Sequence, residues 1–393
     1  MRGLKLKKSN VTRSNESSSK GTIDYYLLST IIILLAIGIV MVYSASSYKS
    51  MVEKGNSMHF FIRQAAFAAV GCVFMYIASR VDYSRLRKFC IPLIVISALL
   101  LGVIILVKIG VLPEKVAPNI NGARRWIYIG PISFQPSEIA KYSVVLFLAI
   151  ALSNKGEKIK EFWNGVVAVV LVPGFIALLV ILGKSMSITM VILLTTFIML
   201  VAAGMKRSHI GLFSALGGIL VFFLIKGASY RQDRFSSFIN PWADPKGKGY
   251  QLIQSFYSLG AGGVTGLGLG KSRQKTMYMP EPHNDFIFAI IGEELGLLGC
   301  IFIIALFIFF IHRGAIIAFG ARDTYGMLLA VGITSIIAIQ TIINIAVVTG
   351  SMPTTGVPLP FISYGGTSLV INLTAMGVLL NISKNSKKSL KNI

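Results

Sequence analysis

The sequence contains few acidic residues, and one of them stands where a carboxylate could act as a base. Only 15 Asp and Glu occur among 393 residues. Asp285 ends the polar stretch Pro280-Glu-Pro-His-Asn-Asp285, directly before an apolar segment. There it could take a proton from a bound hydroxyl group. Capping of the following helix is the alternative, because backbone N–H groups at a helix start stabilise an acid. His283 is predicted to contact substrate or to act as a second cap.

Two further acids, Glu293 and Glu294, lie inside the apolar segment. On a helix, Glu293 would be about 12 Å deeper than Asp285 and near the same face. Ionisable groups at such depth usually face a bundle interior or a cavity. Glu293 is therefore predicted to contact substrate. The alternative is a hydrogen-bonded pair that only positions helices.

A second polar cluster lies in residues 121–143, NGARRWIYIGPISFQPSEIAKYS. Glu138 and Lys141 are three residues apart at a helix start, so they are predicted to form an ion pair near the outer mouth of a cavity, where they would contact substrate. Arg124 and Arg125 precede them, next to a tryptophan. Such residues suit a phosphate-bearing headgroup, and they equally suit a bilayer–water interface.

The long segment 226–285 carries eight Lys and Arg against four Asp and Glu. Loops of this length are usually functional, and the basic excess indicates an anionic ligand. Arg231, Arg234 and Lys275 are predicted to bind it; contact with lipid headgroups, or pairing with nearby acids, is the alternative. The glycine-rich stretch 260–270 must bend, either to approach a ligand or to pack tightly.

Residues 344–368 combine apolar residues with prolines at 353, 358 and 360. Proline cannot continue a helix, so this stretch is predicted to be an irregular segment buried in protein, either lining a site or plugging the bundle. Residues 250–259 are predicted to form a short interfacial helix.

These residues must be positioned by membrane-spanning helices. The chain is 54% hydrophobic and 13% charged, whereas soluble domains are about 25% charged. We predict an all-α, polytopic membrane protein with ten spans. They cover 25–43, 60–79, 89–107, 136–152, 165–182, 187–204, 210–225, 286–311, 326–349 and 367–382.

The positions of the basic residues predict the orientation of the chain. Lys and Arg concentrate in the segments that share a side with the termini, so both termini are predicted to be cytoplasmic and 226–285 extracytoplasmic. The domains are then a basic tail over 1–24, a transmembrane domain over 25–382 and a second basic tail over 383–393. Topology and an anionic substrate account for the net charge of +23 without nucleic acid.

The motifs together resemble the SEDS family, the FtsW/RodA/SpoVE proteins of bacterial cell-wall synthesis, over residues 25–382. The FtsW/SpoVE branch is the more similar one. The matching motifs are Asn121-Gly-Ala-Arg-Arg-Trp126, Gln135-Pro-Ser-Glu138 with Lys141, Asn240-Pro-Trp-Ala-Asp-Pro245, Gly249-Tyr-Gln251, Pro280 to Ala289, and Asn344 to Ser368 with its Ser363-Tyr-Gly-Gly-Thr-Ser ending. One departure is Gly183-Lys-Ser-Met-Ser187, where the family often has Gln-Pro-Asp-Leu-Gly.

The resemblance implies a peptidoglycan glycosyltransferase of the bacterial cytoplasmic membrane that polymerises lipid II on the outer face. It also implies a class B penicillin-binding protein as partner, with other division or sporulation proteins. Asp285 would be the catalytic residue, acting as general base in one inverting displacement, and Ser363 would be a substrate contact. A pyrophosphate leaves readily, so one base and cationic stabilisation should suffice. A divalent cation, Mg²⁺ or Mn²⁺, would suit the pyrophosphate, although the sequence identifies no cofactor.

Two other functions are compatible with the sequence. A lipid II flippase would use Glu293, Glu294 and Lys141 along a path, and Asp285 would matter little. A scaffold would only position the penicillin-binding protein, and it would tolerate loss of the loop charges.

Overall fold

The computed structural model describes residues 22–386 except 121, 131 and 277, and these residues form a helical bundle. The helices are α1 Tyr25–Lys54, α2 His59–Arg80, α3 Cys90–Lys108, α4 Pro136–Lys155, α5 Ala168–Leu182, α6 Met186–Ala202, α7 Arg207–Lys226, α8 Ser229–Ile239, α9 Tyr250–Gly262, α10 Ile287–Gly320, α11 Thr324–Val348 and α12 Gly366–Lys384. The predicted tails lie largely outside the described residues.

Within the described part of the chain, nine helices are long and apolar enough to cross a membrane. The helix α6, with 17 residues, is shorter. Each predicted span coincides with a helix, so the all-α, multi-pass membrane class is confirmed, while the count of ten spans stays a prediction. Some helices run beyond the predicted apolar stretch. The first, α1, continues to Lys54 and ends at Gly55, whose φ of 67° is the left-handed conformation that commonly closes a helix.

The two long connections are more ordered than their composition indicates. The first contains a hairpin of β1 Ile127–Ile129 and β2 Ile132–Phe134. The segment 226–285 contains α8 and α9, and α9 confirms that a short helix forms at 250–259, while its interfacial location stays a prediction.

The helices approach each other closely where small residues meet. A Cβ at Gly377 of α12 would lie 2.2 Å from the Met75 carbonyl of α2. Small residues allow such contacts, and membrane helix pairs are enriched in them. The core helix is α11, with most of its residues buried, whereas α7 buries none of its own.

The glycine-rich stretch is a packing turn against α10. At Gly296 the α10 backbone has φ 67° and ψ −167°, which interrupts the helix. The released backbone groups pair with the glycine-rich stretch: Leu267 N–H donates to Glu293 O at 2.9 Å, and Leu297 N–H donates to Gly263 O at 2.9 Å. A Cβ at Gly266 would lie 2.2 Å from the Glu294 carbonyl, so only glycine permits this approach.

The predicted irregular segment is confirmed between α11 and α12, over residues 349–365. Its prolines prevent a helix, and neighbouring side chains satisfy its backbone. Ser363 Oγ accepts a hydrogen bond from Leu359 N–H at 2.8 Å and donates to Asn284 O at 2.7 Å. This segment is thereby fastened beside Asp285.

Candidate active site

Asp285 lies two residues before α10, with its backbone held and its carboxylate free. Asn344 of α11 donates from Nδ2 to the Asp285 carbonyl at 2.8 Å and to the Val357 carbonyl at 2.8 Å. The carboxylate faces Gly356, where an added Cβ would lie 2.9 Å from Oδ2. The irregular segment and α11 therefore set the position of this acid together.

The carboxylate of Asp285 accepts no hydrogen bond from any residue that the structure describes. The residue at the cap position of α10 is Phe286, and no side chain caps this helix. The capping alternative therefore does not describe Asp285. Burial raises the pKa of the Asp285 carboxyl, the positive charges of Arg125 and Arg234 counteract that rise, and Glu281 adds to it. The net direction is upward, which makes this carboxylate a better base at neutral pH.

Two guanidinium groups share this site with Asp285. Arg125 donates from Nη2 to the Lys184 carbonyl at 2.8 Å, and Arg234 of α8 donates from Nη1 to the Thr354 carbonyl at 3.0 Å. Burial, and then the like charge of Arg234, lowers the pKa of Arg125. Both groups are half-buried, and the Nε of Arg125 has no partner among the described residues. Two cations beside one carboxylate leave net positive charge, which suits an anion.

Segment 183–187, the departure from the family pattern, packs beside this site. Lys184 adopts a φ of 60° and bonds from Nζ to the Gly122 carbonyl at 3.0 Å. Ser187 Oγ donates to the Thr355 carbonyl at 2.5 Å. The carbonyl of Lys184 thus orients Arg125 where the family often has a nearby acid.

Two of the predicted substrate-binding arginines are bonded elsewhere. Arg124 pairs with Glu114 and donates to the Ala117 carbonyl at 2.8 Å. Arg231 donates to the Leu224 carbonyl at 2.7 Å and to the Tyr230 hydroxyl at 2.9 Å. The structure does not bring these side chains to Asp285, although the neighbouring Arg125 and Arg234 are there. The alternative, in which these arginines pair with Asp233 or Asp244, is not seen among the described residues: Asp233 bonds Lys248 Nζ at 2.7 Å, and Asp244 accepts from Lys248 N–H at 3.0 Å.

The predicted ion pair between Glu138 and Lys141 is confirmed, with 3.0 Å between Lys141 Nζ and Glu138 Oε2. Both side chains are at most 1% exposed. Ser368 of α12 donates to Glu138 at 2.7 Å, so the pair joins α4 to α12 in the bundle interior. A cavity of about 10 Å³, room for one water molecule, lies beside Ser368 and Gln340.

His283 is only 1% exposed and packs between aromatic rings. Its ring centroid lies 4.5 Å from that of Phe60 and 5.6 Å from that of Tyr364. Burial lowers the pKa of His283 to about 4, against a rise from Glu281, so the ring is neutral at pH 7. This packing holds the residue two positions before Asp285 in place, and contact of His283 with substrate stays a prediction.

Glu293, Lys275 and Ser363 are buried. Ser363 bonds the carbonyl of Asn284, next to Asp285, whereas the side chains of Glu293 and Lys275 are bonded elsewhere. Glu293 binds the loop after α9, and Lys275 pairs with Glu294 at 2.9 Å. The predicted shared face of Asp285 and Glu293 is wrong, because α10 begins only at Ile287 and helical spacing does not extend back to Asp285.

Sequence reasoning missed Asn344, Lys184 and Gly356 as members of the site. The available signal for Asn344 was an amide near the end of a mostly apolar helix, directly before the proline-containing segment. The described residues contain no group of three or more His, Cys, Asp or Glu arranged to hold a metal ion. Mg²⁺ is commonly bound by one or two carboxylates together with substrate phosphates, so a divalent cation at the pyrophosphate stays a prediction.

Comparisons with known proteins match the chain to one protein family. The FtsW/RodA/SpoVE family model, described as "Cell cycle protein", matches residues 25–388. Stage V sporulation protein E of Bacillus subtilis is 42% identical over 372 residues, which cover 94% of this chain and 100% of that protein. A probable peptidoglycan glycosyltransferase FtsW of Trichlorobacter lovleyi is 40% identical, with 93% of this chain and 94% of that protein covered.

Solved structures have the same fold. A chain described under "Structural coordination of polymerization and crosslinking by a peptidoglycan synthase complex" superposes with a TM-score of 0.75 and 26% identity, covering 93% of this chain and 99% of that one. The rod shape determining protein RodA of Thermus thermophilus has a TM-score of 0.68 at 23% identity, with 93% and 98% covered.

Proposed function

The chain belongs to the FtsW/RodA/SpoVE family, and we propose that it is a peptidoglycan glycosyltransferase that polymerises lipid II with Asp285 as general base. The relatives named as peptidoglycan glycosyltransferases support the activity. The observation that carries the assignment of the base is the Asp285 carboxylate, which is half-buried and accepts no hydrogen bond from the described residues while two guanidiniums stand beside it.

The reaction is one inverting displacement. Asp285 takes the proton from the acceptor sugar hydroxyl while that oxygen attacks the anomeric carbon of the donor sugar. The new glycosidic C–O bond forms as the bond from the anomeric carbon to the lipid pyrophosphate breaks, and the pyrophosphate leaves with the electron pair. Asp285 ends protonated and returns the proton to solvent. The raised pKa favours the proton transfer.

Arg125 and Arg234 act on the negative charge. A lipid pyrophosphate is anionic before the reaction and gains charge as it leaves, so guanidiniums fixed beside the base stabilise the transition state more than the ground state. Carbonyl groups of Lys184 and Thr354 hold these cations in advance, which reduces the reorganisation that binding requires.

The placement of the reaction follows from the basic residues of the chain. Both termini are cytoplasmic, so the segment carrying Asp285 faces the outer side of the bacterial cytoplasmic membrane. The partner is a class B penicillin-binding protein that cross-links the new strand, in division or in sporulation. The structural relative from a peptidoglycan synthase complex, in which polymerization and crosslinking are coordinated, supports such a pairing.

The test is polymerisation of purified lipid II by the purified Asp285→Asn protein. The amide is nearly isosteric and cannot act as a base, so we expect no glycan polymer and unchanged thermal unfolding. Asp233→Asn is the matched control, because that exposed carboxylate of the same segment has Lys248 as its ionic partner among the described residues. Polymer formed by Asp285→Asn would refute the assignment. If wild-type protein forms no polymer but still binds the penicillin-binding protein, the scaffold function is favoured. If Asp285→Asn translocates lipid II, the flippase function is favoured.

A further inference from the structure

Glu293 is fully buried and binds the loop that follows α9. Its Oε2 accepts hydrogen bonds from Ser272 Oγ at 2.5 Å and Ser258 Oγ at 3.0 Å. Its Oε1 accepts from Arg273 N–H at 2.7 Å, and Gln274 N–H lies 3.4 Å from both oxygens. One carboxylate on α10 therefore gathers four donors from α9 and the loop after it.

The adjacent Glu294 fastens the same loop on its other side. It accepts from Ser272 N–H at 3.2 Å, from Lys275 Nζ at 2.9 Å and from Ser44 Oγ of α1 at 2.7 Å. Lys275 is 7% exposed, so its charge is neutralised inside the protein. The two acids thus tie residues 272–275 to α10 and α1.

This attachment closes a ring that contains Asp285. Residues 273–293 run from the loop through Asp285 and into α10, and the bond from Arg273 N–H to Glu293 joins the two ends. The far side of the ring is held by Tyr364 N–H on the His283 carbonyl at 2.9 Å and by Ser363 on the Asn284 carbonyl at 2.7 Å. Arg125 and Arg234 lie outside the ring.

We infer that Glu293 is a positioning residue for catalysis, which holds the loop 272–275 so that Asp285 stays in place. This inference rests on the proposed role of Asp285 as base. It assigns Glu293 no contact with substrate. Because a displacement of about 1 Å can lower a rate by about a hundredfold, loosening the ring should slow the chemical step. Substrate affinity should change little, since the guanidiniums belong to other elements.

The chemistry of the four donors predicts a ranking of variants. In Glu293→Gln the amide oxygen can still accept from the backbone N–H groups, while the NH₂ group donates to the serine hydroxyls, which also accept. Glu293→Ala provides none of these partners. Ser258→Ala removes a single hydroxyl. We expect the loss of function to increase from Ser258→Ala through Glu293→Gln to Glu293→Ala.

Hydrogen exchange of the full-length protein in nanodiscs measures the attachment without reference to activity. Amides 272–275 in Glu293→Ala should exchange at least about tenfold faster than in wild type, because charge-assisted hydrogen bonds protect them. Amides of α4 and α11 should not change. Glu157→Ala is the control, since Glu157 is exposed and, among the described residues, pairs with Lys160. Unchanged exchange at 272–275 would overturn the attachment.

Kinetics with lipid II measure positioning. We expect kcat of Glu293→Ala to fall by about tenfold to a hundredfold, with KM within about twofold of wild type. Compared with Glu293→Ala, Glu293→Gln should have a higher kcat and slower hydrogen exchange at amides 272–275. Faster exchange with an unchanged kcat would overturn the positioning role, as would a change confined to KM. The Asp285→Asn assay tests the proposed function separately. The role of Glu293 and the role of Asp285 can therefore be refuted independently.

Discussion

The ion pair of Glu138 and Lys141 should contribute far more to stability than its spacing along the chain implies. The ammonium of Lys141 lies in the bundle interior, where Glu138 is its only ionic partner among the described residues, at 3.0 Å. Its remaining N–H groups have no hydrogen-bond partner there. Replacing Glu138 with Gln therefore leaves a buried charge without compensation. Breaking a buried pair in this way costs about 3–5 kcal/mol.

The same chain offers a matched pair in a different environment. Glu157 and Lys160 have the same residue types and the same spacing, yet their side chains are 87% and 51% exposed. Solvent screens such pairs, so Glu157→Gln should change the free energy of unfolding by at most about 1 kcal/mol. The contrast isolates burial, because residue type and spacing are held constant.

Unfolding of the purified protein in one detergent, followed by temperature and denaturant, measures these differences. The double variant Glu138→Gln with Lys141→Met should recover most of the loss, since it removes both charges. Equal effects of Glu138→Gln and Glu157→Gln would contradict the reasoning. If the double variant is as unstable as the less stable of its two single variants, side-chain shape, and not charge, determines the contribution of this pair to stability.

Three further outcomes follow from the site. Arg234→Gln should lower kcat/KM for lipid II about tenfold or more, while Arg231→Gln should not, because the charge of Arg234, and not that of Arg231, acts on Asp285. Titration of both variants with lipid II checks this, and equal kcat/KM values would contradict it. Gly356→Ala should lower kcat, because the φ of Gly356 is +72° and the new Cβ would lie 2.9 Å from Asp285 Oδ2. Steady-state kinetics measure the effect, with an unfolding measurement to show that the variant is folded. An unaltered kcat would show that the carboxylate tolerates displacement. The pKa of His283 is lowered to about 4 in the folded state, against about 6.5 in the unfolded state, so its contribution to stability is complete above about pH 6.5 and is lost as pH falls towards 4. The unfolding midpoint, measured between pH 4 and 8, should therefore depend more steeply on pH in wild type than in His283→Phe. Parallel curves would refute this reasoning.

Local physical chemistry made much of the fold predictable. Apolar stretches of the right length become helices in a membrane because every backbone group must be satisfied internally. Prolines interrupt 344–368 because they cannot continue a helix, and the spacing of Glu138 and Lys141 places them on one helix face. These features depend on neighbours within a few residues, so the sequence alone determined them.

The site depended on contacts between distant parts of the chain. Arg124 and Arg125 are adjacent in the chain, yet Arg124 bonds Glu114 and the Ala117 carbonyl while the charge of Arg125 acts on Asp285. Nothing in their types distinguishes them. The same holds for Glu293, whose partners come from residues 258 and 272–274.

The sequence by itself determined that the membrane bundle contains an acid, several cations and an irregular segment within 344–368. It could do so because composition and periodicity indicate which residues are buried and which stretches form helices. Tertiary structure alone decided which cations meet Asp285 and which acids are consumed in fastening a loop. The reason is geometric: a hydrogen bond or ion pair forms only within a few ångströms, and the packing of α8, α10 and α11 sets those distances.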